Sequence, residues 1–396
     1  MESTERGPQT LWNRSYIFIL FVSLLSSFSF YMVATIMSKY LVGIGIAVSM
    51  AGVVVGLFSV TSLVCRPACG VMADRLNNVN LLRYSNILMC LGLVGFAFAH
   101  SLPLIVLFRI VNGVGFAIGG TAQITLATRY IPKHKTGEGI GYMGLGMVVS
   151  SAAAPGIGLA IAEATSMQIT FLASAAMTLL AFLLLLTMKD QHHQKSQKNA
   201  EKKRISPRDI LEPKALPFTL TSATFSFANG MIASYLVLFA DERSIVGISI
   251  YFTVYAVCLF VIRPLSGKLM DAKGLRVTVF PGLILTAASM FILGRSATLP
   301  LILVTGVMRA FGQGAAQPSL QAGCINYLGR ERSGVATSTY YLGGDIGQGF
   351  APMLGGVILT AITGIAGYRL IFDLCGVLMV TALVYFFIVC QKKEIR

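Results

Sequence analysis

The sequence predicts an all-α membrane protein whose twelve transmembrane helices form two pseudo-symmetric six-helix bundles. Three observations predict it. The chain carries twelve apolar runs, each near the ~20 residues that cross ~30 Å of hydrocarbon. It is written twice: Arg66-Pro67-Ala68-Cys69-Gly70-Val71-Met72-Ala73-Asp74 recurs 197 residues later as Arg263-Pro264-Leu265-Ser266-Gly267-Lys268-Leu269-Met270-Asp271, with Arg, Pro, Gly and Asp in register. Its positive charge alternates from loop to loop. With 55% hydrophobic and 12% charged residues, against about 25% charged in soluble domains, no ordinary soluble domain fits.

In order, the first six runs fall at about 16–38, 47–69, 81–99, 103–127, 139–162 and 167–188. No small-residue cleavage site follows the first, so it is expected to span rather than to be a removed signal. Residues 189–214 are hydrophilic and carry eight Lys and Arg, a solvated linker. Six more runs follow at about 216–240, 247–269, 277–294, 299–323, 333–361 and 367–390. The expected domains are therefore residues 1–188 and 215–396, joined by the basic linker 189–214. Two further anchors keep the same offset: Leu102-Pro103-Leu104-Ile105 with Leu299-Pro300-Leu301-Ile302, and Ala154-Pro155 and Gly158 with Ala351-Pro352 and Gly355.

The net charge of +15 raises the possibility of a nucleic-acid ligand. Its distribution removes it. Of 31 Lys and Arg, 23 fall in the tails, the linker and alternate loops, and four (Lys39, Arg243, Arg295, Arg369) on the other side. This asymmetry predicts a multi-pass protein of the cytoplasmic (inner) membrane with both termini cytoplasmic. The seven cysteines lie in or beside apolar runs without metal-ligand spacing, and the four histidines fall in loops. No metal, cofactor or catalytic constellation is expected, and hence no enzyme.

The repeated stretches contain Gly70, Asp74 and Arg75 in one copy and Gly267, Asp271, Gly274 and Arg276 in the other, on loops between helices 2 and 3 and helices 8 and 9. Glycine lets helices approach, aspartate can pair with a helix N-terminus or an arginine, and Asn77 tolerates a left-handed turn. A solvated turn with incidental charge would look similar. In these residues the sequence resembles the major facilitator superfamily, whose signature there is Gly-x-x-x-Asp-Arg-x-Gly-Arg-Arg/Lys. Asn77 departs from it at the second glycine. The resemblance implies a loop that latches the two halves with the outer side open. Arg109-Ile110-Val111-Asn112-Gly113-Val114-Gly115 is similar to the family's Arg-x-x-Gln-Gly-x-Gly. It implies a role for Arg109 in proton transfer, beside the plainer alternative of pairing with a neighbouring carbonyl. Gly144, Gly146, Pro155 and Gly158 are similar to the Gly-Pro motif of the family's exporters, expected to bend helix 5 and pack it on helix 8. Pro352 and Gly355 repeat the pattern in helix 11, so duplication explains it equally well.

Residues outside the repeat are more telling. Asp345 falls mid-run in helix 11, opposite Val148 in the repeat. Helical rise places it ~20 Å from the inner end and Arg309 ~14 Å from the outer end. In a ~30 Å core these depths match, so an intramembrane Arg309–Asp345 pair is expected, as a proton relay or a permanent bridge. Polar groups expected to line an interior cavity are Ser26, Tyr31, Thr35, Asn112, Gln123, Ser226, Asn229, Gln313, Gln317, Tyr340 and Gln348. Such a weakly charged lining suits a neutral, cationic or zwitterionic solute.

The reading that gathers these features is a monomeric secondary transporter in the lipid bilayer, exporting a small amphipathic compound or metabolite in exchange for protons. Proton-coupled uptake and a non-transporting membrane sensor are the alternatives.

Overall fold

The computed structural model describes residues 10–46, 48–99, 101–188 and 212–392, and it is helical throughout with short connections. The first six long helices are α1 (Arg14–Gly43), α2 (Val48–Arg75), α3 (Asn78–Phe98), α4 (Leu102–Tyr130), α5 (Thr136–Ala164) and α6 (Met167–Thr187). The second six are α7 (Leu216–Glu242), α8 (Ser249–Lys273), α9 (Arg276–Leu293), α10 (Leu299–Leu328), α11 (Ser333–Ala361) and α12 (Ile365–Lys392). Most of the linker lies outside the described residues. Among the described residues, eleven helices are long and apolar enough to span a membrane. The exception is α11, whose Ser, Thr, Tyr and Gly residues, with Asp345 and Gln348, lower its apolarity.

Helices α3 and α6 each start on a side chain that accepts from one of their first N–H groups. Asn77 caps α3 by accepting from the Asn80 amide, and Ser166 caps α6 by accepting from the Ile169 amide. Asn77 is extended (φ −70°) and not left-handed, so it works as a cap and not as the expected turn. The left-handed residue is Gly274 (φ 86°), which ends α8.

Both copies of the repeated stretch were expected in loops, and both are helical. Helix α2 runs through Arg75 and α8 through Lys273, which puts Asp74 and Asp271 on their last turns. The 28 residues of α2 extend about 42 Å, more than the hydrocarbon thickness. A helix outlasts its apolar stretch because its backbone bonds need no apolar side chains.

The chain divides into two units. The first combines the described parts of Met1–Lys133 and Gly146–Glu212 with Gly329–Ser338; the second combines His134–Leu145, Pro213–Leu328 and Thr339–Arg396. Each takes a short segment, ending in the first turns of α11 or α5, from the opposite half of the sequence. Within the first unit the closest pairings are α3 with α4, α2 with α4, α3 with α6 and α1 with α6; the second unit repeats them as α9–α10, α8–α10, α9–α12 and α7–α12. The duplication is thus structural as well as sequential. Small residues permit the close crossings: a Cβ on Gly282 of α9 would stand 2.7 Å from the Gly312 carbonyl oxygen of α10.

Candidate functional site

Three constellations carry the chemistry, and the duplication organises them. The first is a pair of carboxylates aimed at helix N-termini. In the first unit Asp74 accepts from the Gly334 and Val335 amides at 2.6 and 3.0 Å, at the start of α11. In the second unit Asp271 accepts from the Gly137 and Glu138 amides, both at 2.8 Å, at the start of α5. The acceptors are repeat partners, and so are Gly137 and Gly334. A helix N-terminus offers unbonded N–H groups and partial positive charge, so each carboxylate meets its natural partner. The glycines make the approach possible: a Cβ on Gly70 would stand 2.1 Å from Ser338 Oγ, and one on Gly267 2.5 Å from the Gly137 oxygen.

Charged neighbours surround both contacts. Lys268 and Lys135 lie 3.6 and 3.8 Å from Glu138 in the second unit. In the first, Arg330 donates to the Thr128, Ile131 and Pro132 carbonyls at the end of α4, and Arg332 pairs with Glu212. Of the other expected latch residues, Arg75 is exposed and Arg276 donates to the Cys390 carbonyl of α12 at 2.8 Å. Gly137, Glu138, Gly334 and Val335 were not singled out in the sequence, although the 197-residue offset between the two glycines was available as a signal.

The second constellation is a polar chain in the second unit. Arg309 of α10, 1% exposed, donates to Asn229 of α7 and to the Tyr251 hydroxyl of α8 at 3.3 Å, and its guanidinium lies 4.3 Å from the Tyr255 ring centre. Tyr255 donates to Gln313 at 2.9 Å, Gln313 to Gln317 at 3.0 Å, and Gln317 to Ser226 at 3.5 Å. The Tyr340 hydroxyl donates to the Gln317 carbonyl at 2.8 Å. Asn229, Gln313, Gln317 and Tyr340, from three helices and expected to line an interior cavity, meet here. Tyr251 and Tyr255 were missed, being indistinguishable in sequence from the other aromatic residues of an apolar helix.

The expected Arg309–Asp345 pair does not form among the described residues. Asp345 is half-buried on α11, while Arg309 turns to α7 and α8. Helical rise fixes depth alone; the face is set by ~100° of rotation per residue, which follows from the 3.6-residue turn. Gln348 is exposed on the same helix.

The third constellation belongs to the first unit. Arg109 of α4, 3% exposed, donates to the Val55 carbonyl at 3.1 Å and lies 4.8 Å from the Phe58 ring centre. Phe30, Phe58 and Phe116, from three helices, pack with centres 4.7–5.1 Å apart, and Tyr31 meets Phe30 edge-on. Ser26 donates to Asn86 at 3.0 Å, Asn112 donates to the Met89 carbonyl at 3.2 Å, and the Gln123 amide nitrogen is buried without a hydrogen-bond partner among the described residues. Phe58 and Tyr255 are repeat partners, so each unit sets an arginine over the same aromatic position. Arg109 and Arg309 come from positions one turn apart in the repeat, Arg309 matching Asn112.

The helix 5 motif divides its contacts. Gly144 meets Arg263 of α8, which donates to the Gly144 carbonyl, while Gly158 meets Met32 of α1, with Pro155 between them in the helix. In α11 the Pro352 carbonyl accepts from Tyr235 of α7, and Gly355 packs under the same ring.

Comparison with known proteins places this geometry. A family model described as Major Facilitator Superfamily matches residues 19–249 and 220–396. The multi-drug resistance efflux pump PmrA of Streptococcus pneumoniae is 26% identical over 50% of this chain and 48% of its own length, so that match spans about half of the relative. The multidrug resistance protein MdtG of Enterobacter lignolyticus is 23% identical over 95% of this chain and 90% of its own. Among solved structures, the transporter FucP in its outward conformation has a TM-score of 0.76 at 18% identity, covering 94% of this chain and 99% of that one.

Proposed function

We propose that this chain, which belongs to the Major Facilitator Superfamily and is a multi-pass membrane transporter, exports small amphipathic organic compounds from the cytoplasm in exchange for protons. It acts as a monomer in the cytoplasmic membrane, with both termini inside. The halves of the sequence, 1–188 and 215–396, serve as the moving bodies, alternately exposing a central site to either side.

The observation that carries this reading is the reciprocal pair of carboxylate contacts. Asp271 holds residues 137–138 from the other half of the sequence, and Asp74 holds residues 334–335. Such contacts are strong enough to bias a conformation and weak enough to break in each cycle, at about 1 kcal/mol apiece. The relative named as a multi-drug resistance efflux pump, PmrA, supports the export direction. Asp345, half-buried in α11, the long helix that falls short of the apolarity needed to span, is the carboxylate assigned to proton exchange.

Inverted membrane vesicles test the proposal. An acid interior is expected to drive accumulation of a lipophilic fluorescent dye, and dissipating the pH gradient to release it. Accumulation in right-side-out vesicles alone would mean uptake instead. Asp345→Asn is expected to abolish the pH-gradient dependence while leaving gradient-free exchange of the dye; full retained coupling would remove Asp345 from the proton path.

A further inference from the structure

Resting on the transport reading above, we propose that Arg309, Asn229 and Tyr251 recognise the anionic group of the solute, a single carboxylate on an amphipathic organic molecule. A guanidinium stays charged in any protein environment, and inside a membrane protein that charge needs compensation. Among the described residues Arg309 meets none that is negative: its partners are the Asn229 amide oxygen, the Tyr251 hydroxyl and the Tyr255 ring. Its Nε, like that of Arg109, is buried and has no hydrogen-bond partner among the described residues.

The direction of these hydrogen bonds decides what the site can take. Arginine only donates, so Asn229 and Tyr251 are the acceptors. The Asn229 amide nitrogen and the Tyr251 hydroxyl hydrogen are thereby left to donate elsewhere. The side-chain donors of three helices converge without an anion, and that is carboxylate-binding chemistry. Asn229 is half-buried whereas Arg309 is 1% exposed, so the amide covers the guanidinium and is the group a ligand would displace or bridge.

Arg109 differs. Its guanidinium is bonded to the backbone carbonyl of Val55, which cannot rotate away. The repeat makes the contrast sharper, because the positions matching Tyr251 and Arg309 are Val54 and Asn112. The arginine-over-ring contact is shared by both halves, whereas the Asn229 and Tyr251 contacts of Arg309 are not.

Three probes with the same ring test the charge preference on purified protein in lipid nanodiscs: naphthalene-acetate, naphthalene-acetamide and naphthyl-ethylammonium. The acetate is expected to bind at least about tenfold more tightly than the amide, and Arg309→Gln to erase that preference. Asn229→Asp supplies an internal carboxylate. It is expected to raise the melting temperature and weaken acetate binding at least about tenfold, with amide binding unchanged. Ammonium binding as tight as acetate, or an acetate preference that survives either substitution, overturns the assignment. Flux in proteoliposomes separates the two readings. Arg309-dependent acetate binding with no probe crossing would sink the transport reading and keep the anion site. Gradient-driven movement of the ammonium but not the acetate would do the reverse.

Discussion

A carboxylate at the first N–H groups of a helix is held by hydrogen bonds and by the partial charge of the helix end together. Asp74 and Asp271 both sit this way, each on two successive amides. Asparagine keeps one acceptor and removes the charge, so each substitution is expected to weaken its contact by about 1 kcal/mol. Amide exchange resolves the two. Asp271→Asn should speed exchange at the first turn of α5 and leave that of α11 protected; Asp74→Asn should do the converse. Equal acceleration at both sites would contradict independent contacts. The aspartates were legible because they recur in register with Arg, Pro and Gly. Their partners bind through backbone, so the repeated Gly137 and Gly334 were the one trace of them in the sequence. Arg309 failed for another reason: spacing along one helix sets height and not which neighbour is faced.

At the scale of the helix, proline decides where backbone groups are released. Pro352 has no N–H, so the Gln348 carbonyl of α11 lacks its helical donor. Gly230 of α7 lets backbone approach that oxygen, since a Cβ there would stand 2.9 Å from it. The Pro352 carbonyl in turn accepts from Tyr235 of α7. These two contacts tie the proline-containing part of α11 to α7. Tyr235→Phe removes one hydroxyl and is expected to destabilise the protein by about 1 kcal/mol, lowering its melting temperature in detergent while solute affinity is kept. Unchanged melting would mean that packing of the ring alone makes the contact. The twelve helices were legible because each apolar run approaches membrane thickness. Their ends were not, because apolarity reports hydrocarbon and a helix continues past it, as α2 and α8 do through Asp74 and Asp271. Helix α11, the long helix missing from the eleven apolar enough to span among the described residues, carries Asp345 and the residues of one carboxylate contact, so polar residues and a weakened membrane signal fall on the same element.

At the scale of the molecule, duplication supplies each feature twice and later substitution distinguishes the copies. The carboxylate contacts stayed alike: Asp74 with Gly334 mirrors Asp271 with Gly137. The arginine sites diverged, one closed by a backbone carbonyl and one by a side-chain amide. Retained symmetry suits a motion both halves share, and divergence suits a solute that has no symmetry. The two carboxylate contacts have no residue in common, so their energies are expected to add. On the proposed transport cycle, if both contacts must open in one step, each Asp→Asn substitution is expected to raise the population of the cytoplasm-open state by about fivefold, taking ~1 kcal/mol per contact. The Asp74→Asn/Asp271→Asn double variant then raises it by about twenty-five-fold. Maleimide labelling of a cysteine placed on the cytoplasmic half of α10, in a background without the native cysteines, measures that population. A double variant no more open than either single one would contradict additive contacts.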